Sequence, residues 1–199
     1  VTAYAAVVLA GGAGRRMGGV DKPALPVGGR PMRDRVLAAV AEAAPRVLVG
    51  PVDRPPAGVL VTREQPPGGG PVAATAAGLA LLDPATTTVA LLAADLPLLT
   101  ADAVADLLRR LAGSTADGVC HLDGDGRRQQ LCGVWRVGPL RAALDRLAAR
   151  RGGTVDGAPF RALLDGLTVL EVPWSGTGPP PWFDCDTDED VRRAEEWTR

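Results

Sequence analysis

The run Ala3–Ala10 is apolar throughout and stops in glycines, with Gly11 and Gly12 followed by Ala13 and Gly14. A strand that is apolar on both faces has no solvent side. It belongs in the middle of a sheet covered by helices front and back. In such sheets the turn after the first strand is where phosphate groups bind, because glycine lets backbone N–H groups approach an anion closely. Here the turn is followed by Arg15, Arg16 and Lys22, which add positive charge.

The rest of the chain alternates in the same sense. Spacing predicts a helix over 31–44, with Met32, Val36, Val40 and Ala43 on one face. Short strands follow at 46–49 and 59–62. A helix over 71–82 opens on Pro71, at a position where the missing N–H costs nothing. A further buried strand at 89–94 is broken by Asp95-Leu96-Pro97. Thr100 caps the next helix, in which Val104, Leu107, Leu108 and Leu111 keep helical spacing. Beyond it, strands are expected at 118–122, 130–137 and 167–172, with helices at 140–149 and 161–164. Thr187 and Asp190 form a capping box for a last helix over 188–197. Alternating strands and helices with right-handed crossovers predict a three-layer α/β/α fold. Its sheet is mostly parallel and Rossmann-like, with one antiparallel strand from the second half.

At 199 residues the chain suits a single domain, in which about 1–100 would bind nucleotide and about 101–199 an acceptor. The net charge of −1 gives no bulk attraction to nucleic acid or to a membrane surface. No apolar run approaches the roughly 18 residues of a membrane span. The N-terminal segment lacks the basic flank of a signal peptide and reads as the first strand. Cys120, Cys132 and Cys185 are odd in number and scattered, which excludes a zinc pattern and fits a reduced, cytoplasmic compartment. The one histidine, His121, is a strand residue.

The glycine turn fits neither common nucleotide fingerprint. Gly14 and Gly19 have the Walker gap, but Val20 stands where Lys must follow. From Gly12 the dinucleotide pattern finds Gly14 and then Met17 in place of its third glycine. Instead Leu9-Ala-Gly-Gly through Arg16-Met17-Gly18-Gly19-Val20-Asp21-Lys22 resembles LAGGxxxRMGGxDK. This is the signature of the molybdenum cofactor guanylyltransferase (MobA-type) family, in the nucleotidyltransferase superfamily. The likeness is strong over 7–31, moderate over 68–97 and 183–191, and weak between.

That resemblance implies a nucleoside-diphospho-sugar transferase-like fold. It also implies transfer of GMP from Mg²⁺-bound GTP to a molybdopterin-type acceptor, with a molybdoenzyme or another cofactor-biosynthesis protein as partner of a monomer or weak homo-oligomer. By the same resemblance, the backbone of Leu9, Ala10, Gly11, Gly12 and Gly14 would face base and ribose. Arg16 and Lys22 would hold the triphosphate and act in catalysis. Asp95 would bind the metal and contact the nucleotide, and Asp186 would be the second metal ligand. Asp184 and Asp186 stand where the family has asparagines. Gly68–Thr75 resembles the family's Gly-Pro-Leu-Ala-Gly segment. Glu64 lies near the family's guanine-reading Asp, while the base-contacting Asn falls near Gly50, which has no side chain.

Read without the resemblance, several of these residues have plainer roles. Asp95 could simply start the turn before Pro97, Asp186 could be an ordinary cap, and Glu64 a loop carboxylate. Arg127, Arg128 and Gln129 could meet the acceptor or form a solvated turn. Trp135, Trp174 and Trp182 could stack on a pterin or pack a core or lid. Two rival functions stay open: a cytidylyl- or sugar-1-phosphate nucleotidyltransferase, and a non-catalytic nucleotide-binding module.

Overall fold

The computed structural model describes residues 3–11, 22–175 and 178–199. Its strands are β1 (Ala5–Leu9), β2 (Pro26–Val27), β3 (Arg30–Pro31), β4 (Arg46–Val49), β5 (Leu60–Thr62), β6 (Thr88–Ala93), β7 (Gly118–Leu122), β8 (Arg128–Arg136) and β9 (Val169–Pro173). Its helices are α1 (Met32–Ala39), α2 (Gly70–Ala80), α3 (Ala101–Ala112), α4 (Val137–Arg150), α5 (Phe160–Leu164) and α6 (Asp188–Trp197), and a 3₁₀ turn spans Lys22–Ala24. Seven strands form one sheet in the order β5-β4-β1-β6-β8-β7-β9. Only β8 runs against the others, pairing antiparallel with both β6 and β7. The expected mixed, mostly parallel sheet is therefore present, with its single reversed strand.

Side chains alternate along β1 to build the layers. Ala6 and Val8 pack with Val36, Val40, Leu107 and Leu111 beneath α1 and α3. Ala5, Val7 and Leu9 face the opposite way, onto Leu79, Leu140 and Leu163 of α2, α4 and α5. Both faces of the sheet are thus removed from water, as a continuous apolar strand requires. A smaller third cluster joins Val27, Met32, Leu98, Cys185 and Ala194. It ties α6 and the β2–β3 hairpin to the segment after β6, and so fixes the approach of chain segments that are remote in sequence.

The predicted helix over 31–44 is shorter than expected. Pro31 belongs to β3, paired with Pro26 across the turn at Gly28 and Gly29. At the other end α1 stops at Ala39, and Ala41 and Ala43 donate backbone hydrogen bonds in tight turns instead. The following Pro45 disfavours helical backbone at Ala44, and the chain must reverse there to enter β4. In contrast, α4 begins three residues before the predicted start, with Pro139 in its first turn. Both predicted caps are formed: Thr100 accepts from the Ala103 N–H, and Thr187 and Asp190 make a reciprocal capping box. The polar turn after β7 is held by Asp123, whose carboxylate accepts from the N–H groups of Asp125 and Arg127.

Candidate functional site

The carboxyl ends of the parallel strands converge. The Ala94 N–H donates to the Leu9 carbonyl at 2.9 Å, the Ala10 N–H to Val49 at 2.7 Å, and the Gly50 N–H to Thr62 at 2.9 Å. These bonds extend the ladder past β1, β4 and β6. The start of the glycine turn and Asp95 are therefore brought to neighbouring positions on one edge of the sheet.

Beside that edge, the Lys22 ammonium touches two carboxylates. It lies 2.5 Å from Asp95 Oδ2 and 2.6 Å from Asp186 Oδ1. Lys22 comes from the 3₁₀ turn, Asp95 from the turn after β6, and Asp186 from the entry to α6. Burial on its own would lower the Lys22 pKa, but the bonds to Asp186 and Asp95 outweigh it and the net shift is upward. Asp184 is adjacent and lies at the surface. Desolvation first, and then the negative charges of Asp186 and Asp95, push its pKa upward.

Backbone bracing sets this geometry. Asp190 Oδ2 accepts from the N–H groups of Asp186 at 3.1 Å and Thr187 at 2.8 Å, so the capping box also orients the segment carrying Asp186. The Cys185 N–H donates to the Asp95 carbonyl at 3.2 Å. Arg35 Nε donates to the Pro97 carbonyl at 2.7 Å, and Nη1 to the Val27 carbonyl at 3.3 Å. The Cys185 side chain packs in the third cluster, and burial pushes its thiol up to about 12. It is a packing group, not a nucleophile.

A second feature lies on the β5 side of β1. Glu64 is only 7% exposed. Its Oε1 accepts from the Gly68 N–H at 3.0 Å, while its Oε2 is buried with no hydrogen-bond partner among the described residues. A β-carbon on Gly11 would sit 3.8 Å from Glu64 Oε1, so this carboxylate borders the start of the glycine turn. Gly50 crosses the same backbone at φ 144°. A β-carbon there would lie 2.8 Å from the Ala10 carbonyl carbon and 2.9 Å from the Gly11 nitrogen. This backbone has no room for an asparagine at residue 50.

The residues singled out in the sequence thus fall into two groups. Lys22, Asp95 and Asp186 meet directly. Leu9, Ala10, Gly11 and Glu64 line the neighbouring edge. Gly12, Gly14 and Arg16 lie outside the described residues. Arg128 is paired with Glu171 at 2.6 Å, and Gln129 donates to Asp123 at 2.9 Å, so both have partners within the protein. Trp135 is fully buried against Gly118, where a β-carbon would overlap its ring; it is core. Trp174 and Trp182 pack edge and face against His121 at 5.6 and 5.0 Å between ring centroids. Arg35, Asp190 and Cys185 brace the site, and none of them was assigned a role in it from the sequence. Of these only Asp190, through its capping spacing, carried any local signal.

Among the described residues no group of three or more His, Cys, Asp or Glu side chains is arranged to hold a metal. Nor does any described helix have the length and apolarity to cross a membrane. A carboxylate pair set against a cation thus stands at the carboxyl edge of a doubly covered sheet, where α/β proteins place their ligands. The comparisons with known proteins give the class as nucleotidyltransferase.

The chain belongs to the MobA-like NTP transferase family, whose domain matches residues 6–167. It is 32% identical to the molybdenum cofactor guanylyltransferase of Bradyrhizobium sp. (strain ORS 278), over 98% of this chain and 92% of that one. It is also 32% identical to that of Rhodobacter capsulatus, over 98% and 96%. The fold matches molybdopterin-guanine dinucleotide biosynthesis protein A of Archaeoglobus fulgidus with a TM-score of 0.74 at 20% identity, covering 96% of each chain. It matches 2-C-methyl-D-erythritol 4-phosphate cytidylyltransferase of Thermus thermophilus with a TM-score of 0.71 at 21% identity, covering 98% of each.

Proposed function

We propose that this nucleotidyltransferase moves GMP from GTP to the terminal phosphate of a molybdopterin acceptor, releasing pyrophosphate and forming a guanine dinucleotide. The observation that carries the choice of base is Glu64. A buried carboxylate with one oxygen unpaired is costly unless a ligand satisfies it. Guanine offers two adjacent donors, N1–H and the 2-amino group, and a carboxylate accepts from both. Cytosine offers only its 4-amino group on that edge. The curated relatives named above are guanylyltransferases, which supports the same choice.

In the reaction, an oxygen of the acceptor phosphate attacks the α-phosphorus of GTP. The bond from that phosphorus to the bridging oxygen breaks, and the electron pair leaves with pyrophosphate. The acceptor is already ionised, so no protein group need remove a proton. Catalysis is then positioning and charge neutralisation. Arg16 and Lys22 would hold the triphosphate. The donor set fits Mg²⁺: Asp95 and Asp186 are hard oxygen ligands that converge on a cation, here an ammonium. When bound, the metal would supply charge neutralisation at the triphosphate.

The test is direct. Enzyme, Mg²⁺, GTP and molybdopterin are incubated together, and pyrophosphate and the dinucleotide are quantified. Product is expected with GTP. Product formed from CTP and not from GTP would replace this reading with cytidylyl transfer, and pyrophosphate from neither would remove it.

A further inference from the structure

The two carboxylates that hold Lys22 come from distant stretches of the chain, and both contact the same nitrogen. Bringing two like charges so close is unfavourable unless a cation sits between them. Among the described residues the Lys22 ammonium is such a cation, with its side chain mostly buried at 16% exposure. An incoming divalent ion would use the same two oxygens. No third metal-ligating side chain joins them among the described residues. Mg²⁺ and Mn²⁺ favour six oxygen ligands, so two carboxylates alone make a poor site.

We infer that Lys22 is an internal counter-ion that competes with the divalent cation for Asp95 and Asp186, so that metal binds well only together with the triphosphate. This rests on the reading of Asp95 and Asp186 as metal ligands. The triphosphate would do two things at once. Its oxygens complete the cation's coordination, and its negative charge gives the displaced ammonium a new partner. Nucleotide and metal then bind cooperatively, each raising the other's affinity by the same factor. The contact is a swap of partners: the ammonium leaves the carboxylates for phosphate as the metal takes its place. No bond is made or broken covalently.

Mn²⁺ binding to the nucleotide-free protein, followed by the loss of the free-ion electron paramagnetic resonance signal, tests this without turnover. Without nucleotide, wild-type protein should leave most Mn²⁺ free. Lys22→Met should bind nucleotide-free Mn²⁺ about tenfold more tightly or better, because one competing charge in contact with both carboxylates is removed. Lys22→Arg, which keeps the charge, should stay as weak as wild type. Asp186→Asn in the Lys22→Met background should reverse the gain. Lys22→Gln replaces Lys22→Met if circular dichroism shows the latter unfolded. Equal nucleotide-free affinity in wild type and the neutral variant, whether tight or weak, would overturn the inference. Such a result would leave GTP-dependent pyrophosphate release untouched, so failure of the latch and failure of the proposed reaction are distinguishable.

Discussion

On the β6 side of the sheet edge, Asp95 and Asp186 share one ammonium, and their charge is largely answered inside the protein. On the β5 side, Glu64 is more deeply buried, yet one of its oxygens has no hydrogen-bond partner among the described residues. On the proposed reading, the first region exchanges partners when ligand binds. On the same reading, the second gains a hydrogen-bond donor when ligand binds. The difference suggests a division of labour: charge handling where cations and carboxylates cluster, base selection where a polar atom is left waiting for a donor.

The comparison breaks most visibly if the charged side is cut. Asp95→Ala and Lys22→Ala should each lower the rate of pyrophosphate release at least about a hundredfold while the fold survives, since one electrostatic contact to the reacting phosphates is commonly worth that much. Their preference among bases should not change. A near-normal rate in either variant, or a change in base preference, would contradict the separation of roles.

Gly50→Asn attacks the other side through the backbone. Residue 50 has φ 144° and lies against Ala10 and Gly11, so any side chain must displace the edge that borders Glu64. A loss of roughly 2–3 kcal/mol is expected from chemical denaturation, combining an unfavourable backbone region with overpacking. Unchanged stability would mean that this crossing is looser than the geometry implies.

The smallest effect comes from His121, which packs on Trp174 and Trp182. Burial holds its pKa below the ordinary 6.5, and the backbone of Val172 offsets this only in part. A group kept neutral in the fold but able to take a proton when unfolded contributes fully above pH 6.5, and that contribution is lost as pH falls through its folded pKa. The slope it adds is at most about 1.4 kcal/mol per pH unit. His121→Phe should flatten the fall in stability below pH 6.5. An unaltered acid limb would show that other groups set it.

The residues that are legible in the sequence share a physical character. β1 is readable because burial on both faces leaves an uninterrupted apolar run. α6 is readable because its capping box is local. Asp95 is readable because it ends a buried strand just before a proline turn. What escapes depends on contacts across the fold. The paired strands β2 and β3 are two residues each and carry a proline apiece, so no period-2 pattern exists to detect. Arg35 looks like any polar helix residue until it meets the carbonyls of Pro97 and Val27. In the sequence Gly50 reads as a missing base contact. In three dimensions it is a close backbone crossing, a property set by the neighbouring strand and not by its own segment. The end of α1 is hidden because apolar residues continue past Ala39 while the chain already turns toward β4.

If the unpaired Glu64 oxygen selects the base, titration calorimetry of wild type and Glu64→Gln with Mg²⁺ and either GTP or CTP shows it most directly. Wild type should favour GTP, and the variant should lose about tenfold or more of that preference, the scale of replacing a charged acceptor with a neutral amide that presents an N–H₂ to the base. Retention of the full preference by Glu64→Gln, or an absence of preference in wild type, would contradict it.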